Sequence, residues 1–190
     1  MSKNILLCGV GGQGIVLTSK LIASAAMEKG LNVMSAETIG MAQKGGSVFS
    51  FLRIGDDFHC PMFGRKSADI IIGYEPSEVV RMLPYLKDNG CVVVNTYPIM
   101  PVASALDKTN YNAEEMLNYI RANVKNVIAE NGSEACTALS SPRVLNMIML
   151  GLAIKTKALP FTIEEIENTM KKIVKPQFHE INLRGLNYYN

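Results

Sequence analysis

The sequence predicts an α/β fold, a Rossmann-like three-layer sandwich around a mostly parallel sheet with an inserted β-hairpin. Three observations predict it. The chain opens on a strand, glycine loop, helix, strand unit of about thirty residues, the span of a crossover. Two later runs, Ala68–Gly73 and residues 91–95, are continuously apolar, as strands buried on both faces are. Between these parts lies Ser47–Ile54, rich in β-branched and aromatic residues and ending on a Gly-Asp-Asp turn signal.

Each element follows from local pattern. Residues 5–8 are an apolar run cut off by glycines, and residues 15–27 place Ile15, Leu17, Leu21, Ile22, Ala25 and Ala26 at helical spacing until Gly30 closes the segment. Residues 31–34 read as the second strand. Residues 58–63 are expected to return against Ser47–Ile54 as the other arm of the hairpin. A helix is predicted over residues 75–86, with Pro76 in its first turn, and the strand at 91–95 follows Gly90. Asn112 caps a helix over 113–124, and residues 126–129 form a further short strand. Ser141-Pro142 opens a long helix to Lys155, and Thr162-Ile163-Glu164-Glu165 is a capping box that starts a helix to Val174. No repeat or low-complexity linker interrupts residues 1–190, which are read as a single domain.

Bulk properties narrow the function. A chain of 190 residues, 48% hydrophobic and 19% charged, can bury an adequate core without disulfides or structural metal. A net charge of +2 without a basic run argues against a nucleic-acid partner. The apolar start is too short for a signal peptide, and the apolar stretch around residues 144–154, broken by Asn146 and Gly151, is well short of a membrane span. The expectation is a soluble, cytoplasmic protein in a reducing compartment. Cys8, Cys60, Cys91 and Cys136 are widely spaced and read as structural thiols, since metal and cluster sites need close ligand pairs.

Gly9-Val10-Gly11-Gly12-Gln13-Gly14 fits the G-x-G-x-x-G pattern in the required strand and helix context. Such glycines let backbone N–H groups approach a ligand, and the following helix start favours an anion. A dinucleotide is one reading: Glu37, 23 residues after Gly14, could reach ribose hydroxyls. Glu37 could equally belong to the second glycine-rich stretch, Gly40-Met41-Ala42-Gln43-Lys44-Gly45-Gly46, which suits capture of a phosphate or a close backbone interface. His59 and Cys60 are sequence neighbours, which point to opposite faces of a strand, so they make no catalytic dyad. The chain has places to hold a ligand and no evident nucleophile and base to transform one.

Taken together, "CGVGGQGIVLTSKLIA", "GMAQKGGSVFSFLRIG", "ADIIIGYEPSEVVRMLPYLKDNGCVVVN" and "LNMIMLG", in this order, resemble the gamma-type subunit or domain of 2-oxoacid:ferredoxin oxidoreductases. Within that family the likeness is greatest to the beta subunits of indolepyruvate ferredoxin oxidoreductases, and it runs from about residue 4 to 155 with a weaker tail at 180–182. The resemblance implies a subunit of a complex that converts a 2-oxoacid, coenzyme A and oxidised ferredoxin to an acyl-CoA, carbon dioxide and reduced ferredoxin. This chain lacks the clustered cysteines of an iron–sulfur site and a G-D-G…N-N thiamine diphosphate and magnesium signature. Those groups are therefore expected on a large partner subunit, through which ferredoxin is reached, with coenzyme A as co-substrate and no cofactor bound by this chain alone. Carried over by position, the contacts to that shared centre are Gly11, Gly12, Gln13, Gly14, Met41, Gln43, Lys44, Gly45 and Gly46, with Glu75 and Asn95 at strand ends. Lys44 departs from the family's usual Arg, and residues 138–143 depart from the Gly-Asn pair that relatives carry before Asn146. An independent NAD-dependent dehydrogenase and a non-catalytic assembly paralogue are the competing readings. Without its partner, the chain is expected to self-associate through the uncovered surface.

Overall fold

The computed structural model describes residues 2–37, 45–99 and 111–190. Met41, Gln43 and Lys44 lie outside the described residues. In chain order the strands are β1 (Lys3–Val10), β2 (Val33–Glu37), β3 (Ser47–Ile54), β4 (Ala68–Gly73), β5 (Leu86–Asn95) and β6 (Asn126–Glu130). The helices are α1 (Ile15–Glu28), α2 (Pro76–Met82), α3 (Ala113–Asn123), α4 (Gly132–Ala138), α5 (Leu145–Lys155), α6 (Ile163–Ile173) and α7 (His179–Leu186). The strands form one sheet in the order β2-β3-β1-β4-β5-β6. From β1 through β6 the pairing is parallel, and β3 runs antiparallel between β1 and β2.

Strand alternation builds the three layers. Ile5, Leu7, Ile70, Ile72 and Val93 face one way, into a core shared with Leu21 and Ile22 of α1, Ile148 of α5 and Ile166 of α6. Leu6, Cys8, Ile71, Val92 and Val94 face the other way, against Val79 of α2 and Leu117 and Ile120 of α3. Because both faces of the central strands are covered, β1, β4 and β5 read as continuous apolar runs. The predicted capping box is present: Glu165 N donates to Thr162 Oγ1 at 3.2 Å, and Thr162 N donates to Glu165 Oε2 at 2.8 Å. Lys29–Glu165 (2.8 Å) and Lys172–Glu28 (2.9 Å) then fasten α6 alongside α1.

The structure departs from expectation in several places, each for a physical reason. Residues 58–63 form no strand; the antiparallel partners of β3 are β1 and β2. Pro61 removes a ladder donor there, and side chains hold the segment instead. Arg53 donates to Cys60 O (3.2 Å) and lies 4.9 Å from the Phe58 ring centroid, while Phe63 packs edge-on against Phe51 at 4.8 Å. The helix expected to Leu86 ends at Met82, because Pro84 cannot continue it; a 3₁₀ turn over Leu83–Tyr85 leads into β5, which starts at Leu86. The helix expected to open at Pro142 begins as a 3₁₀ turn, Pro142–Val144, before α5. Helices α4 and α7 are additional. Asn131 caps α4, accepting from Ser133 N and Glu134 N, and α7 docks onto α5 at Gly151.

A Cβ on Gly151 would lie 2.1 Å from the Leu186 carbonyl oxygen, a backbone atom that cannot swing aside. Alanine in an unhindered helix interior stabilises relative to glycine by about 0.5–1 kcal/mol; here the clash reverses the sign. Gly151→Ala is expected to destabilise by about 1–3 kcal/mol in urea unfolding. Gly64→Ala, where a Cβ meets nothing within 4 Å, should change stability little.

Candidate functional site

The chain runs from β1 outward to β2 and β3 on one side, then from β4 outward to β5 and β6 on the other. The topological switch point is therefore between β1 and β4, where a crevice opens at the carboxyl ends of the parallel strands. Residues 11–14 leave β1 at this point and enter α1. Gly12 (φ 103°) and Gly14 (φ 85°) adopt left-handed backbone that other residues tolerate poorly. Gly14 is also the N-cap of α1, and no side chain caps that helix or places an acid in its first turn. Its first N–H groups thus remain as donors beside a cavity of about 360 Å³ lined by residues 10–16 and Val48.

The second glycine stretch meets the first here. Gly11 N donates to Gly46 O at 2.9 Å, and Gly45, at φ 78°, makes the turn into β3. Ser47 Oγ donates to Glu78 Oε2 at 2.5 Å, tying the start of β3 to α2. Antiparallel pairing puts Ser47 opposite Val10, so β3 begins where β1 ends.

The other expected site residues prove to be ties along the rim. Gln13 accepts from Val10 N at 2.6 Å and donates to Tyr74 O at 2.8 Å. Asn95 donates to the same carbonyl at 3.1 Å and accepts from Gly132 N at 3.0 Å and Tyr97 N at 3.3 Å. Glu75, fully buried, caps α2 by accepting from Glu78 N, and its carboxylate also accepts from Ser77 Oγ and the Tyr111 hydroxyl. Tyr74, also fully buried, shares a 2.6 Å hydrogen bond with Thr18 of α1.

Sequence reasoning passed over three polar groups at this rim. Glu78 is 1% exposed, and among the described residues its Oε1 has no hydrogen-bond partner, only the Arg81 guanidinium at 3.5 Å. Burial raises its pKa above the ordinary 4.5, with the neighbouring Glu75 adding to the rise and Ser47 and Arg81 opposing it. Tyr111 is raised by burial and by its bond to the Glu75 carboxylate. Asn146 packs against Gly14, and its buried Oδ1 has no partner among the described residues. For the acidic pair a signal existed: Glu-Pro-Ser-Glu places carboxylates at the N-cap and third position of a helix start, a variant of the capping box.

The geometry bears on the dinucleotide question. Glu37 ends β2, and β3 intervenes between β2 and β1. That separates Glu37 from the glycine loop by about two strand spacings, roughly 10 Å, where a ribose contact needs adjacent strands. His59 and Cys60 are exposed and follow β3 at the amino end of β1, opposite the rim. Among the described residues no group of three or more His, Cys, Asp or Glu could hold a metal ion, and no helix is long and apolar enough to cross a membrane.

Residues 4–188 match the family described as pyruvate ferredoxin/flavodoxin oxidoreductase. The chain belongs to that family. Indolepyruvate oxidoreductase subunit IorB of Archaeoglobus fulgidus is 37% identical over 187 residues, 98% of this chain and 92% of the relative. The IorB of Methanothermobacter thermautotrophicus is 35% identical over 97% of this chain and 94% of its own length. Among solved structures, a pyruvate oxidoreductase subunit from Thermotoga maritima superposes with a TM-score of 0.72 at 21% identity, covering 98% of this chain and 94% of that one. The pyruvate ferredoxin/flavodoxin oxidoreductase fold is thus shared across most of both chains.

The raised pKa of Glu78 makes a pH prediction. A carboxyl whose pKa is higher folded than unfolded binds more protons in the native state, so stability falls as pH rises from 4.5 through the raised value. Glu78→Gln keeps an acceptor for Ser47 and removes that dependence. In urea titrations across pH, the variant should gain stability relative to wild type as pH rises through this window. A constant difference would show that burial imposes no cost on the charge.

Proposed function

We propose that this chain is the small, gamma-type subunit of a 2-oxoacid:ferredoxin oxidoreductase of the indolepyruvate-oxidising kind. The complex would decarboxylate an aryl pyruvate and transfer the acyl group to coenzyme A, with the two electrons leaving on ferredoxin. The observation that carries this reading is the junction of the two glycine stretches at the switch point, on a chain alike over nearly its whole length to IorB subunits. A rim of backbone donors suits a subunit that completes a partner's active centre.

In this reading a large subunit carries thiamine diphosphate, magnesium and the iron–sulfur clusters, and ferredoxin docks there. Residues 1–190 act as one gamma-type domain in the cytoplasm, where the thiols of Cys8, Cys60, Cys91 and Cys136 stay free. Gly11, Gly12, Gly14, Gly45 and Gly46 offer their backbone to coenzyme A or to the partner. Met41, Gln43 and Lys44 are proposed contacts from the same loop. Gln13, Glu75 and Asn95 support the site from within, since their polar atoms are engaged along the rim.

The test is reconstitution with the large subunit and steady-state kinetics. Gln43→Ala and Lys44→Ala should each raise KM for coenzyme A about tenfold to a hundredfold, the cost of losing a hydrogen bond to a charged group, with KM for indolepyruvate unchanged. Unchanged coenzyme A kinetics in both variants would remove the loop from that role. Recovery of the chain alone in native pull-downs, or saturable binding of NADH by it, would overturn the subunit assignment.

A further inference from the structure

A further cavity is at the opposite end of the sheet. It has a volume of about 710 Å³ and lies where the amino ends of β5 and β6 meet the residues just after α5. This is within the range of about 300–1,000 Å³ typical of small-molecule sites. Cys91 and Asn95 stand at opposite ends of one stretch of β5, about 13 Å apart at 3.3 Å per residue. The cleft is therefore separate from the glycine rim.

Its charge is unbalanced. Lys3, Lys87, Lys125 and Lys157 line it with a single acid, Asp69. That is an excess of three positive charges in one cleft of a chain whose formal net charge is +2. Asp69 is already committed: it receives Lys87 Nζ at 2.6 Å and the Asn4 backbone N–H at 2.8 Å. Lys3, Lys125 and Lys157 have no ion pair among the described residues. Like charges drawn to one concavity repel, and their field is strongest there.

Cys91 is among the lining residues. Burial raises its thiol pKa and the Asp69 charge adds to the rise, while the Thr156 hydroxyl and the Lys3 charge oppose it.

The geometry points to a binding site for a compact polyanion of about three negative charges, such as a diphosphate, held by Lys3, Lys125 and Lys157 with Lys87 braced by Asp69. Lysines lining one cleft neutralise a multiply charged group as point charges, without requiring the planar fork of arginine. A diphosphate offers those charges in a volume that the cleft accommodates.

The probe is inorganic pyrophosphate, titrated calorimetrically into the full chain carrying Cys60→Ser, which removes the exposed thiol. Saturable binding is expected, with Lys125→Gln and Lys157→Gln each weakening it about tenfold, as loss of a charge-assisted contact does. Lys66→Gln, at an exposed pair with Asp88, is the control and should leave it unchanged. Pyrophosphate should also slow maleimide labelling of Cys91, and chloride at equal ionic strength should not. Absence of saturable binding, equal effects in all three lysine variants, or binding that leaves Cys91 labelling unaltered would each overturn the assignment.

Discussion

The carbonyl oxygen of Tyr74 is the point on which the rim is hung. It accepts one hydrogen bond from Gln13 and another from Asn95, so the ends of β1, β4 and β5 are fixed to a single backbone atom. Asn95 extends the tie to Gly132 at the start of α4, and the Tyr74 hydroxyl extends it to Thr18 of α1. Every polar partner in this set is buried, where a group left unpaired costs about 1–3 kcal/mol. The glycine loop is therefore held from beneath; Gly11 N–H is spent on Gly46 O and Gln13 N–H on Val10 O, and the first N–H groups of α1 are left as donors. A site that works by presenting backbone donors depends on this kind of support.

The second constraint is β3. An antiparallel strand between β1 and β2 changes what the same glycine pattern can do. It brings Gly45 and Gly46 against Gly11, and it pushes Glu37 away from the place where it would meet a ribose. The helix start keeps its preference for anions, but the groups surrounding it come from a second loop rather than from the end of a neighbouring parallel strand. At the start of α2, Glu75 and Glu78 are two buried carboxylates whose charge is tempered by Ser47, Ser77, Tyr111 and Arg81. Through Ser47, Glu78 ties the start of β3 to α2, which links the electrostatics of the rim to its shape.

Much of this was legible in the residues. The continuous apolar runs of β1, β4 and β5 announce strands covered on both faces, and the Thr162 and Glu165 cap announces α6. The strand expected at residues 58–63 was misread because its apolar residues pack through side chains onto Phe51 and Arg53, contacts invisible to a local pattern. The early end of α2 was written in Pro84, and the start of α4 in the Asn131 and Glu134 pair. Helix α7 was not legible, since it depends on backbone approaching Gly151 across the fold. In the site, the glycines declared themselves through spacing. The inward roles of Gln13, Glu75 and Asn95 did not, because the identity of a polar residue does not disclose whether it faces a ligand or a neighbouring carbonyl.

The central claim is that the joined loops at the switch point face a partner's active centre. Hydrogen exchange on this chain, alone and with the large subunit, tests it most directly. The account predicts that amides of residues 11–16 and 45–48 slow on complex formation and slow further when coenzyme A is added. Exchange unchanged at both loops, with protection only on other surfaces, would contradict it.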